Sequence, residues 1–402
     1  MNPCNANSAS EAPAAKGLIQ EDQIRNCGAL TQMLVSTNTS HPDGNEADLV
    51  RKISALFPDH LYRRVLDHGN NRASLIVRID GKNRGGLAFV GHIDTVAFGD
   101  VQAWKYPPVE ARIQDGILYG RGSADMKSGV AAMITAAQCV LASGRTPEED
   151  LFFCFTADEE ANGMGVLAVM QSGDLANVKE FIIAEPSELK LGLCEKGALW
   201  LRISAEGKLA HGSRPRVGVN AVEHLIEFRC RLQRAVDTQT NHPLLDTTTI
   251  ATTGFYGGIM TNVIPAQARM ELDIRTLPSL PNARVVEIAR QIAEEMEHSY
   301  KDLHICVEIL NDRIPVETLP DAPMVCKMRK IFDAMGLACE TKGMYFYTDM
   351  SQIALYTDAP FLILGPADDK QAHVTDEHVA VKDIETAARI YTAYIEQNYM
   401  KD

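Results

Sequence analysis

Apolar residues follow two different rhythms along this chain. Through the first half, short unbroken apolar runs alternate with helical patterns. Ser74 to Asp80 alternates as a strand, and Gly86 to Gly91, Leu151 to Thr156 and Glu180 to Ala184 read as short buried strands. Gly116 to Gly120 is a further short strand. Leu18 to Val35, Glu46 to Phe57 and the Ala/Val/Met-rich stretch Ser128 to Ala142 read as helices. Buried strand alternating with helix predicts an α/β sheet covered on both faces.

The rhythm changes near Gly197. Strand (Ala198 to Glu206), helix (Asn220 to Ala235), two strands (Thr248 to Phe255 and Gln267 to Thr276), helix (Arg284 to Tyr300) and strand (Leu303 to Leu310) follow in order. That is the ferredoxin-like succession, and it predicts an inserted α+β unit. After Pro315 the first style returns, with a helix at Met324 to Ala334, a buried strand at Phe361 to Leu364 and a closing helix at Asp383 to Gln397. The predicted organisation is a disordered tail at 1–17, a mixed-sheet α/β catalytic domain in two parts at 18–197 and 315–402, and a lid or dimerisation domain at 198–314.

A chain of 402 residues exceeds one ordinary core and suits two domains. Its 46% hydrophobic and 23% charged content is that of a soluble globular protein. A formal net charge of -14 argues against nucleic acid or an anionic membrane surface as partner. No apolar stretch reads as long enough to span a bilayer. Nine cysteines occur without a Cys-x-x-Cys pair, which fits a reduced, cytoplasmic setting with Cys139, Cys154 and Cys194 as small buried hydrophobes.

The chemistry gathers at strand ends. His92 closes the run Phe89 to Gly91, and Asp94 follows two residues on, a spacing that sends both side chains in similar directions. Asp125 lies between a strand and a helix. Glu159 and Glu160 follow Thr156, Glu185 follows Ala184, and His373 follows the strand ending at Leu364. In open α/β sheets the working crevice lies at the carboxyl ends of the strands. Two imidazoles and three carboxylates overfill one tetrahedral zinc, but they suit two ions if one carboxylate bridges. Of the Glu159–Glu160 pair, one can bind metal while the other moves protons. Taken singly, His92 is an ordinary strand-end histidine, Asp125 a helix cap and Glu159–Glu160 a solvated turn; together they favour a metal centre. His41, His60, His68, His224, His242, His298 and His304 lack any motif and read as ordinary, and His378 reads as a surface residue.

Five segments carry a resemblance: Gly91-His92-Ile93-Asp94-Thr95-Val96, Gly120 to Lys127, Asp158-Glu159-Glu160, Ala184-Glu185-Pro186-Ser187 and Gln371-Ala372-His373. In this order they resemble the metallopeptidase family that includes acetylornithine deacetylase, succinyl-diaminopimelate desuccinylase, aminoacylase and bacterial glutamate carboxypeptidase. The resemblance covers nearly the whole chain after the tail. It implies one zinc on His92, Asp125 and Glu185 and a second on Asp125, Glu160 and His373, with Glu159 as base and Asp94 as the partner of His92. It also implies a cis peptide at Asp125–Met126.

In the inserted unit, Glu206 to Gly212 resembles the segment whose histidine, here His211, reaches into a partner subunit's site to help hold the oxyanion. Thr261 to Pro265 and Asp273 to Thr276 resemble segments that hold the substrate carboxylate, which points to Asn262 and Arg275. The resemblance thus implies a homodimer, paired through the lid, that cleaves the amide bond of N-acyl amino acids with two zinc ions. Cobalt or manganese could take their place. A carboxypeptidase or dipeptidase is the alternative, and a non-catalytic binding protein on the same fold is the second. One departure is Met344 to Asp349, bulkier and more aromatic than the Gly-rich stretch common there, which leaves the acyl group and side chain open.

Overall fold

The computed structural model describes residues 17–42, 44–237 and 241–401, so the tail expected at 1–17 lies outside the described residues apart from Gly17. A nine-stranded mixed sheet forms the centre. Its middle is parallel. Glu149–Thr156, Asn83–His92, Val178–Ile183 and Phe361–Ile363 lie side by side and run the same way. Residues 85–92 of the second of these are buried throughout, as a strand covered on both faces requires. Antiparallel strands flank this core: Arg72–Ile79 and Tyr62–Gly69 on one side, Leu191–Glu195 and Val316–Glu317 on the other.

The helices Ser128–Ser143 and Val381–Tyr399 pack on the sheet through residues such as Val130, Ile134, Ile384 and Tyr391, all fully buried. Against expectation, Ser123–Ser143 is long and apolar enough to cross a membrane. It is 78% packed within the protein, however, as the core helix of a globular domain is.

Residues 197–313 form a second unit with its own core of Leu199, Leu201, Phe228, Met270 and Ile292. Its four strands, Gly197–Glu206, Thr249–Gly257, Gln267–Thr276 and His304–Arg313, are antiparallel and ordered fourth, first, third, second. That is the ferredoxin-like arrangement. Burial alternates along Gln267–Thr276, because the helices Ala221–Asp237 and Asn282–Ser299 cover one face only.

One predicted helix is divided, and several elements were not foreseen. The stretch Leu18 to Val35 is two helices, Glu21–Arg25 and Cys27–Val35, parted at Asn26; Asn26 and Gly28 are poor helix formers. The strand Tyr62–Gly69 was not foreseen, since Arg63, Arg64, Asp67 and His68 give an edge strand no apolar alternation. The helix Met164–Gln171 and the strands Leu191–Glu195 and Thr341–Met344 were also missed, being too short for a period to register.

Candidate metal centre

Four of the expected ligand segments leave the parallel middle of the sheet at one edge. His92 is the last residue of its strand, and the Asp158–Glu160 turn follows Thr156, which pairs with His92 in register. Glu185 follows the neighbouring strand Val178–Ile183, and His373 lies ten residues beyond Ile363. Asp125 arrives differently. The strand before it, Ile117–Tyr119, belongs to a separate three-stranded sheet with Arg112–Gln114 and His378–Ala380. The expectation of five ends on one sheet is therefore corrected to four, with Asp125 brought in from the side. Gly129 makes this possible: a Cβ there would fall 1.9 Å from the Ala184 carbonyl oxygen, so only glycine lets this helix start beside Glu185. The Asp125–Met126 peptide is cis.

Asp125 divides its two oxygens. Oδ1 lies 3.0 Å from His92 Nε2, which is also 3.5 Å from Glu185 Oε1. Oδ2 lies 3.3 Å from His373 Nε2, which is 2.9 Å from Glu160 Oε2. Two donor sets thus meet at one carboxylate. Glu159, 7% exposed, stands beside them. The His92 ring is turned by its other nitrogen, which bonds the backbone oxygen of Asp94 at 3.0 Å and so leaves Nε2 free to act as a donor atom.

The Asp94 carboxylate, expected to serve His92, lies near it and is engaged by other groups as well. Its oxygens accept the backbone N–H groups of Glu159 (3.2 Å) and Glu160 (3.1 Å) and face His41 Nε2 at 2.9 Å. The distance from His92 Nδ1 to Asp94 Oδ1 is 3.7 Å. His41, read as ordinary, is therefore part of the site's support, with Arg72 behind it.

Glu377 was also missed. Fully buried, it accepts from the backbone of Gly122, Ala124 and Asp125 and from the Arg121 guanidinium, which fixes the turn that presents Asp125. Its nearness to the Gln-Ala-His segment was the one available signal. His378, placed at the surface from sequence, is half-buried, with its ring against Tyr119.

The charges suit cations. Burial pushes the Glu159 and Glu185 carboxyls well above the ordinary range, and their carboxylate neighbours add to this. Glu160 is raised by burial and by Asp125. Burial works against charge on His92, yet Glu185, Asp125 and Asp94 outweigh it and hold the imidazole well above its usual value. Hydrogen bonds to Asp125 and Glu160 push His373 up to about 10. A cluster of acids that resists ionisation when buried together is relieved by divalent ions, and imidazole with carboxylate is the donor set such ions take. His92, Asp125 and Glu160 offer ligand atoms within 4.8 Å of one another.

The inserted unit places its residues in two groups. His211 is exposed and bonds Ser213 Oγ at 2.8 Å. Its short strand pairs with Val263–Ile264, and Gly212 N–H donates to the Asn262 carbonyl at 2.7 Å, so His211 and Asn262 lie together. Arg275 stands at the other end of Gln267–Thr276, opposite Ala198 at the junction with the central domain. There it forks onto Asp273, with Nε to Oδ1 at 2.9 Å and Nη2 to Oδ2 at 3.1 Å. Within one chain, Arg275 is not brought together with His211 and Asn262.

Fold and site together are those of a hydrolase with a buried cluster of imidazole and carboxylate groups able to take metal. The chain belongs to Peptidase family M20/M25/M40, whose pattern it matches over residues 88–397, and it is therefore a hydrolase. It is 25% identical to a probable succinyl-diaminopimelate desuccinylase of Staphylococcus epidermidis, over 94% of this chain and 99% of that one. It is 28% identical to an acetylornithine deacetylase of Pectobacterium carotovorum, over 90% and 93%. Among solved structures it resembles a dinuclear metal-binding peptidase of the M20 family from Bacillus subtilis, with a TM-score of 0.70 at 15% identity, covering 94% of this chain and 99% of that one.

Proposed function

We propose that this chain is a two-zinc amidohydrolase that releases an amino acid from its N-acyl derivative. The observation that carries this reading is the division of Asp125, with His92 at one oxygen and His373 at the other, Glu185 standing against His92 and Glu160 against His373. In the proposal His92, Asp125 and Glu185 would hold one ion, and Asp125, Glu160 and His373 the other. Ions held there would supply a lowered pKa for bound water and polarisation of an amide carbonyl.

Glu159 is the general base. Its carboxylate takes a proton from the attacking water and delivers it to the nitrogen of the leaving amine. Asp94 holds the backbone under Glu159 and Glu160, which fixes the base relative to the ligands. Arg275 and Asn262 bind the substrate's α-carboxylate, and His211 donates to the oxyanion. Because Arg275 stands apart from His211 and Asn262 in one chain, the complete site in this reading belongs to a homodimer paired through the inserted unit. The described cysteines are all free, which supports a cytoplasmic setting.

A panel of acetyl-, succinyl- and aminoacyl-amino acids on purified, zinc-loaded protein tests the proposal. Chelator-sensitive release of amino acid from the acyl members supports it. Turnover of the aminoacyl members alone would make this a dipeptidase, and no turnover with zinc bound would reduce it to a binding protein.

A further inference from the structure

At the junction between the two units lies a buried cation with no described carboxylate in direct contact, the nearby charge of Asp349 reaching it only through space. Arg313, 4% exposed, ends the last strand of the inserted unit. Among the described residues its guanidinium forms no ion pair, and its Nε is buried without a hydrogen-bond partner. Other arginines near the site are matched: Arg72 to Asp158, Arg121 to Glu377 and Arg275 to Asp273. An unmatched buried charge is costly unless something compensates it.

Arg313 packs against the turn that carries Glu159 and Glu160. Its guanidinium carbon lies 5.2 Å from the centroid of the Tyr347 ring. A Cβ on Gly163 would fall 2.5 Å from Nη2 and 2.6 Å from Nη1, so the guanidinium occupies space that only glycine leaves open. Gly163 closes the turn that carries Glu159 and Glu160, its N–H donating to the Asp158 carbonyl at 2.5 Å. Gln352 Oε1, on a residue 7% exposed, points at the same space and is likewise without a partner. Tyr347 belongs to the aromatic stretch Met344 to Asp349. Burial raises the pKa of its hydroxyl, and the charges of Glu159, Arg313, Glu160 and Arg275 also bear on it.

We propose that Arg313, braced by Tyr347, is an anion subsite of the cleft that receives a second substrate carboxylate, besides the α-carboxylate. The proposal rests on the amidohydrolase reading and narrows it to N-acyl amino acids that carry a dicarboxylic acyl group or an acidic side chain. A planar guanidinium takes a carboxylate through two parallel hydrogen bonds, and the ring behind it holds the fork in place.

Matched pairs of substrates on full-length, zinc-loaded enzyme test this. The N-succinyl and N-succinamoyl derivatives of one amino acid differ only in the acyl carboxylate, and N-acetylglutamate and N-acetylglutamine differ only in the side-chain carboxylate. The expected result is a preference in kcat/KM of about 10–100-fold for the acid in one pair, which also tells which source the subsite reads. That ratio falls towards one in Arg313→Met and keeps part of its value in Arg313→Lys. Equal kcat/KM within both wild-type pairs overturns the proposal, as does a ratio that survives in Arg313→Met while both rates fall together.

Calorimetric binding of succinate and succinamate to the wild type and Arg313→Met reads the subsite without any turnover. Binding of succinate at least about tenfold weaker in the variant supports the subsite even if no amide is cleaved, in which case the hydrolase reading alone fails. Equal binding of succinate by the two proteins overturns the subsite.

Discussion

His41 Nε2 lies 2.9 Å from Asp94 Oδ2, and the pair ties the N-terminal region to the catalytic turn. Arg72 Nη2 donates to His41 Nδ1 at 2.8 Å, so Nδ1 accepts and Nε2 carries the proton that goes to Asp94. Asp94 in turn accepts the backbone N–H groups of Glu159 and Glu160. Arginine, imidazole and carboxylate thus form one line of hydrogen bonds that ends beneath the base. Removing a partner behind a ligand shell costs about 10–100-fold in activity or metal affinity. His41→Ala is therefore expected to lower kcat by that factor. Steady-state kinetics on the best substrate of the panel would check it, and an unchanged kcat would remove His41 from the support of the site.

Glu159 is buried beside both donor sets and does not itself bridge them. Glu159→Gln keeps the shape and removes the basic oxygen. The expected outcome is two metals still bound and turnover lower by about 10²–10⁴-fold, the usual worth of a general base. Metal analysis and a single-turnover assay on the same sample give both numbers. Loss of metal together with activity would make Glu159 a ligand instead.

His373 is the most exposed of the expected ligands, with 52% of its side chain accessible, and it serves only the Asp125 Oδ2 side. His373→Ala is expected to leave the His92 and Glu185 side whole. Zinc content after dialysis should fall from about two ions per chain to about one, since each ion keeps few protein ligands to lose. A variant that still held two would show that His373 is not a ligand.

The expected ligands other than His373 were legible because they sit just after an apolar strand or beside a glycine-rich turn, where a charged residue breaks the pattern; His373, ten residues beyond Ile363, was legible only through the Gln-Ala-His resemblance. His92 after Phe89-Val90-Gly91 is the clearest case. The inserted unit was legible for a related reason: one covered face imposes the alternation seen along Gln267–Thr276. What stayed hidden acts across long separations. His41 reaches Asp94 over 53 residues, and Glu377 reaches the Asp125 backbone over 252. No period or spacing encodes such contacts. They depend on how the N-terminal helices, the side sheet and the central sheet pack together. Arg313 was hidden likewise, because its neighbours Gly163 and Tyr347 come from two other segments.

Glu195 gives a prediction about stability that does not involve the metal ligands. It is fully buried, Thr348 Oγ1 donates to its Oε2 at 2.7 Å, and its Oε1 has no partner. Burial pushes its carboxyl up to about 8, from an ordinary value of 4.5. Between those values the folded chain holds a proton that the unfolded chain releases, so folding stability falls as pH rises from about 4.5 to about 8. Burial also raises Glu377 to about 7 and Asp349 to about 6, and both slopes have the same sign. Glu195→Gln keeps an oxygen for Thr348 and removes the titration. The variant is expected to match the wild type near pH 4.5 and to melt a few degrees higher at pH 8, at about 1–2 °C per kcal/mol, since the shift shrinks as chain length grows. Thermal melts of both proteins at the two pH values are the measurement, and parallel curves with no gain at pH 8 would show that Glu195 is already ionised in the folded state.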